Sequence, residues 1–116
     1  MASRAQLVRE ILKELGVYQA GQDLSPEDYH VIDDRLDFEV ASLYSQNIYS
    51  VDDIEIIPDE ALIELAKYIA GNSASLFGLA GEELRAVQAS QAAAERALRF
   101  LRTMPYTGAR QRAEYF

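Results

Sequence analysis

Apolar positions along the chain recur at the three- and four-residue intervals of an amphipathic helix in four places, and turn signals separate them. Leu7, Val8, Ile11, Leu12 and Leu15 form the first stripe. Ser3 and Gln6 stand at capping-box spacing ahead of it and Gly16 offers a left-handed stop behind it, so the pattern predicts a helix over residues 4–15. Val17 to Leu24 contains Gly21 and reads as a loop that ends in Ser25-Pro26-Glu27-Asp28. There serine can cap, proline fits the first helical position, and the acids suit the positive end of a helix dipole. A second helix over 26–46 follows, with Tyr29, Ile32, Leu36, Val40 and Leu43 on one face. Phe38 and Tyr44 fall off that stripe and suggest a second contact surface.

Residues 47–57 are rich in β-branched side chains, but one short strand has no evident partner, so the segment reads as a connecting loop packed by its isoleucines. Pro58-Asp59-Glu60 opens a third helix over 59–77, carried by Leu62, Ile63, Leu65, Ala66, Ile69 and Ala70 and stopped by Gly78. Gly71 lies inside it, where glycine costs about 1 kcal/mol relative to alanine. Together with Ser73, Ala74 and Ser75 it implies that another helix approaches closely. The fourth helix, over 82–103, carries Leu84, Val87, Ala94, Leu98 and Leu101, with alanines at 86, 89, 92, 93, 94 and 97. Its alanine stripe is too small-sided to fill a core alone, which favours close helix packing or a subunit contact. Met104-Pro105-Tyr106-Thr107-Gly108 breaks this helix. The fold class expected is all-α: a four-helix bundle-like domain over 1–104 and an extended C-terminal tail over 105–116.

A chain of 116 residues and 13.0 kDa has room for one compact domain and excludes a two-domain enzyme. With no cysteine there are no disulfides, thiolate metal ligands or cysteine nucleophiles. His30 is the only histidine, so a two-histidine metal site is impossible and any serine triad would have to use this one residue, among acids early in the second helix. Asp33-Asp34 and Asp52-Asp53 are acid pairs, but adjacent helical residues point apart. No phosphate loop, calcium loop or His-Glu-x-x-His occurs. No catalytic, cofactor or metal site is expected. No apolar run approaches the ~20 residues of a membrane helix, and the opening residues lack a signal-peptide core, which places the protein in the cytosol where it is made.

Charge changes the picture more than composition does. Residues 1–83 hold 17 acids and 5 bases, net −12, whereas 84–116 hold 2 acids and 6 bases, net +4. From Asp23 to Glu64 there are 13 acids against Arg35 alone. Such a surface repels duplex DNA, whose affinity for proteins comes largely from cations that displace counterions. An acidic body with a basic end suits head-to-tail association, although charged faces that merely solvate helices would look the same. The segment after Pro105 ends in Tyr115-Phe116 and carries Arg110 and Arg112. Tyrosine and arginine anchor protein contacts, so this end either docks on another chain or is a frayed terminus.

The order of elements resembles the head-to-tail adaptor proteins of tailed bacteriophages, in particular the packaged-DNA stabilisation or tail accessory proteins of short-tailed phages. The likeness lies in Gln6-Leu7-Val8 through Ile11-Leu12 with its Leu15-Gly16-Val17 stop, and in an acidic second helix followed by Ile57-Pro58-Asp59-Glu60 and the small and apolar run Leu65-Ala66 through Ile69-Ala70. It continues in an arginine-bearing long helix that breaks at Met104-Pro105-Tyr106, so the resemblance covers roughly residues 3–108. What it implies is a ring of twelve copies, assembled in the host cytoplasm on the portal protein after DNA packaging and retained in the head–tail neck of the virion. The ring would extend the DNA channel and carry the tail or nozzle proteins. The resemblance also implies that the C-terminal helix and tail reach the portal, which makes Arg99, Arg102, Tyr106, Arg110, Arg112, Tyr115 and Phe116 the candidate contacts. Asp33, Asp34 and Asp37 become candidates for an acidic channel lining past which DNA slides without specific binding. Two other classes remain beside it: a cell-wall hydrolase relying on acids such as Glu60 or Glu64, and a small helical regulator that dimerises through its alanine face.

Overall fold

The computed structural model describes residues 1–19 and 21–103. Among them four α-helices follow one another: α1 (Arg4–Glu14), α2 (Pro26–Ser45), α3 (Asp59–Ser73) and α4 (Gly81–Thr103). A 3₁₀ turn, Ala74–Phe77, joins α3 to the loop before α4. The architecture is the all-α, bundle-like one expected, and each helix begins within a residue of its expected start.

Local chemistry sets the ends. Ser3 accepts the Gln6 N–H at 3.2 Å while the Ser3 N–H donates to Gln6 Oε1 at 2.8 Å, a reciprocal capping box. Ser25 Oγ accepts the Asp28 N–H at 3.4 Å, with Pro26 in the first turn. One device stops three elements. Gly16, Asn47 and Gly78 adopt left-handed φ values of 78°, 59° and 73°. The next N–H then reaches back across the last turn: Val17 to the Leu12 carbonyl at 3.2 Å, Ile48 to Leu43 at 2.9 Å and Leu79 to Ala74 at 3.3 Å. Each bond satisfies a carbonyl the helix leaves open and folds an apolar residue over the helix end.

In the core, α1 packs against both α2 and α3, and α3 against α4. Leu7, Val8, Ile11 and Leu12 of α1, Ile32, Leu36 and Leu43 of α2, and Leu65 and Ile69 of α3 are fully enclosed. α3 is the central helix. Its buried positions, from Ala61 and Tyr68 round to Ala66 and Ala70, span about 200° of its circumference at 100° per residue, so it has neighbours on two sides. Gly71 faces α4, where a Cβ would collide with the Gln91 side chain down to its own Cβ. The close approach expected from the small residues of α3 is therefore real.

Three expectations need correction. The third helix is not α-helical to Phe77: its last turn tightens to 3₁₀ from Ala74 onward, a common way to enter a left-handed stop such as Gly78. In the 47–57 loop Ile48 and Ile57 are buried, but Ile56 is exposed. The extended end of that loop also finds a partner, since Ala2 and Ile57 exchange two antiparallel backbone bonds of 2.8 Å each. Among the α4 alanines only Ala94 is fully buried. Ala86, Ala89, Ala92 and Ala93 are exposed, because one neighbouring helix can cover only one side of α4.

Candidate functional site

The three acids nominated for a channel do different work. Arg4 Nε donates to Asp33 Oδ1 at 2.7 Å, its Nη2 to the Asp33 carbonyl at 3.0 Å and its Nη1 to Asp37 Oδ1 at 3.0 Å. Bonding to Asp33 raises the Arg4 pKa further above its ordinary value, against the opposing effect of burial, and Asp37 adds to the rise. Asp33 and Asp37 are four residues apart on one side of α2 and fasten α1 to it. Asp34, rotated by about 100°, is exposed to solvent. The three carboxylates therefore do not form one strip.

A second polar cluster runs from buried Glu39 out to exposed Asn72 and half-buried Gln91. Glu39 lies on the buried stripe of α2, where its Oε1 accepts from Arg35 Nη2 at 3.3 Å and its Oε2 from Asn72 Nδ2 of α3 at 3.0 Å. Gln91 of α4 donates from Nε2 to Asn72 Oδ1 at 2.6 Å and to the Tyr68 carbonyl at 3.2 Å. Burial pushes the Tyr68 hydroxyl pKa up, while the polar side chain of Asn72 opposes the rise. This network ties α2, α3 and α4 together. Gly71 makes room for its Gln91 end. Arg35 Nε and Ser73 Oγ are buried beside it with no partner among the described residues. The sequence carried a signal for it, because Glu39 continues the Ile32, Leu36, Leu43 spacing and a carboxylate on an apolar stripe requires partners. His30 stands apart from this cluster, exposed and edge-on to Tyr29 with ring centres 6.4 Å apart. Glu60 is exposed on α3 and Glu64 is half-buried.

At the C-terminal end of α4, Arg99 and Arg102 are both exposed. Arg99 bonds Glu95 one turn back at 3.1 Å. Arg102 borders a hollow of about 390 Å³ together with Tyr44, Ser45, Asn47, Tyr49 and Ser50, so the ends of α2 and α4 converge there. Burial, then the charges of Glu60 and Asp52, push the Tyr49 pKa up. Tyr106, Arg110, Arg112, Tyr115 and Phe116 lie outside the described residues.

Phe38 and Tyr44 are 80% and 69% exposed, as their positions off the stripe imply. They stand six positions apart, which places them about 120° apart on α2, so they are two features and not one surface. Sequence reasoning missed Phe100, 64% exposed on α4. It also left Arg85 and Arg96 as bare charge, although both are exposed on the same helix. The signal for Phe100 was its place off the Leu84, Val87, Ala94, Leu98, Leu101 stripe. No protein-family model, curated protein or solved structure matches the chain.

Proposed function

We propose that the protein is a structural adaptor of a tailed bacteriophage, joining head to tail without catalysis, as a ring seated on the portal protein. The observation that carries this reading is the cationic, aromatic end of α4, where Arg99, Phe100 and Arg102 are each exposed, around the last turn of the helix and at the entry to a segment bearing two further arginines and three aromatics. Residues of this kind desolvate well against a partner and anchor interfaces. The acidic remainder fits the same scheme, since carboxylates beside a conduit keep phosphate from adhering while DNA passes. Of the three acids considered for that lining, Asp34 has its carboxylate exposed, whereas Asp33 and Asp37 are engaged with Arg4. Tail proteins would attach to the face of the ring away from the portal.

The test is co-sedimentation with assembled portal protein, comparing the full chain with one ending at Met104. The full chain is expected to travel with portal, and the shortened one to stay in the supernatant with its helical circular dichroism intact. Equal sedimentation of both would remove the tail from the contact, and failure of the full chain to bind would reject the adaptor reading.

A further inference from the structure

The solvent faces of α2 and α4 form a matched pair. On α2, Glu27, Val31, Asp34, Phe38, Ala41 and Ser45 follow one another at alternating four- and three-residue steps, the spacing of a helix-packing seam, and all six are exposed. The seam is acidic with one large aromatic at its middle. On α4, Arg85, Ala89, Ala92, Arg96, Arg99 and Thr103 repeat the same spacing and are also exposed, with Phe100 beside them. That seam is cationic with a low centre of alanines. Neither face has a covering helix among the described residues. Among those residues Arg85 and Arg96 form no ion pair, nor do Glu27 and Asp34.

From this charge and shape complementarity we infer that the α4 face of one copy of the chain docks on the α2 face of the next. Phe38 sits over Ala89 and Ala92, which leave space for a ring between the helices. Asp34 lies one turn from Phe38, and Arg85 and Arg96 lie one turn from the alanines on either side, so seating the ring brings opposite charges together at its edge. Two α4 faces would set arginine against arginine, and two α2 faces would set acid against acid, so like-with-like pairing is disfavoured. The contact is therefore heterologous: a growing assembly keeps one unused α2 face at one end and one unused α4 face at the other, and the chain of copies grows until these meet and close it. This rests on the ring-forming part of the proposal above and identifies the faces that join neighbours. Its test uses the protein without portal, so portal docking and self-association fail or succeed separately.

Sedimentation of the full chain at concentrations up to about 1 mM, where even a weak contact is populated, reads the association directly. The average mass is expected to rise above 13.0 kDa with concentration and to fall back when salt is added. Phe38→Glu disables only the α2 face and Ala92→Glu only the α4 face, and each is expected to weaken association by roughly tenfold or more. Both positions are exposed, and circular dichroism checks that the helices remain. Mixed together, the two variants retain one good face each and are expected to form one-to-one pairs that grow no further. A full chain that stays monomeric overturns the inference, whether its own tail covers the α2 face or nothing does. Self-association of the Phe38→Glu chain at undiminished strength overturns it too, because that is the behaviour of a symmetric α4 pair.

Discussion

Asp33 and Asp34 are neighbours in sequence and opposites in role. The Asp33 carboxylate and carbonyl both hold Arg4, in a partly buried setting where charge-assisted bonds contribute more than surface pairs do. Asp33→Ala is expected to lower stability by about 1–2 kcal/mol, read from urea midpoints, because it strips Arg4 of its main acceptor. Asp34→Ala is expected to stay within about 0.5 kcal/mol of the unaltered protein. Similar losses at the two positions would contradict the clamp. The contrast matters for function, because neutralising Asp33 or Asp37 loosens α1 from α2 whatever DNA does. Asp34 is the acid whose substitution spares the fold, so what it changes reads on contacts made outside the subunit.

The seam between α3 and α4 shows at the scale of elements what packing demands of sequence. Gly71 has no side chain because Gln91 occupies that space, and Gln91 is there to bond Asn72 and the Tyr68 carbonyl. In an exposed helix, Gly71→Ala would gain about 1 kcal/mol of helix propensity. Here it is expected to lose about 1–2 kcal/mol net, since overpacking and a displaced Gln91 outweigh the gain. Gln91→Ala in the same chain is expected to recover part of that loss, so the pair of substitutions costs less than the two separately, a coupling that a double-mutant cycle measures. If Gly71→Ala stabilised the chain, the described seam would be wrong.

Much at this scale was legible beforehand. Ser3 with Gln6, Ser25 with Pro26, and Gly16 and Gly78 as stops are local codes that act within one turn of helix, so a linear reading finds them. Asn47 was not legible as a stop, because asparagine enters the left-handed region less often than glycine and only the bond from Ile48 to Leu43 reveals it. The Ala2 and Ile57 pairing joins residues far apart along the chain, and the Arg4 clamp and the Glu39 network depend on which helices become neighbours. Periodicity marks a buried face but does not say which partner covers it. The candidate site was legible for a related reason only as charge: arginines could be counted along α4, yet the outward position of Phe100 and the meeting of Arg102 with Tyr44 and Tyr49 required the fold.

For the whole molecule, folding converts a division along the sequence into a division of surfaces. Net charge of −12 over residues 1–83 and +4 over 84–116 becomes an acidic outer face on α2 and an arginine-bearing outer face and end on α4. α1 and α3 supply most of the shared core, which leaves the outward sides of α2 and α4 free for contacts with other molecules. The account's central claim is that the end of α4 and the residues beyond it are what grip the partner. Hydrogen–deuterium exchange of the full chain, alone and bound to portal protein, tests it most directly, because exchange reports new protection segment by segment. The account expects protection to appear from about Arg99 to Phe116 on binding. Bound protein in which those residues exchange as fast as in the free chain would contradict it.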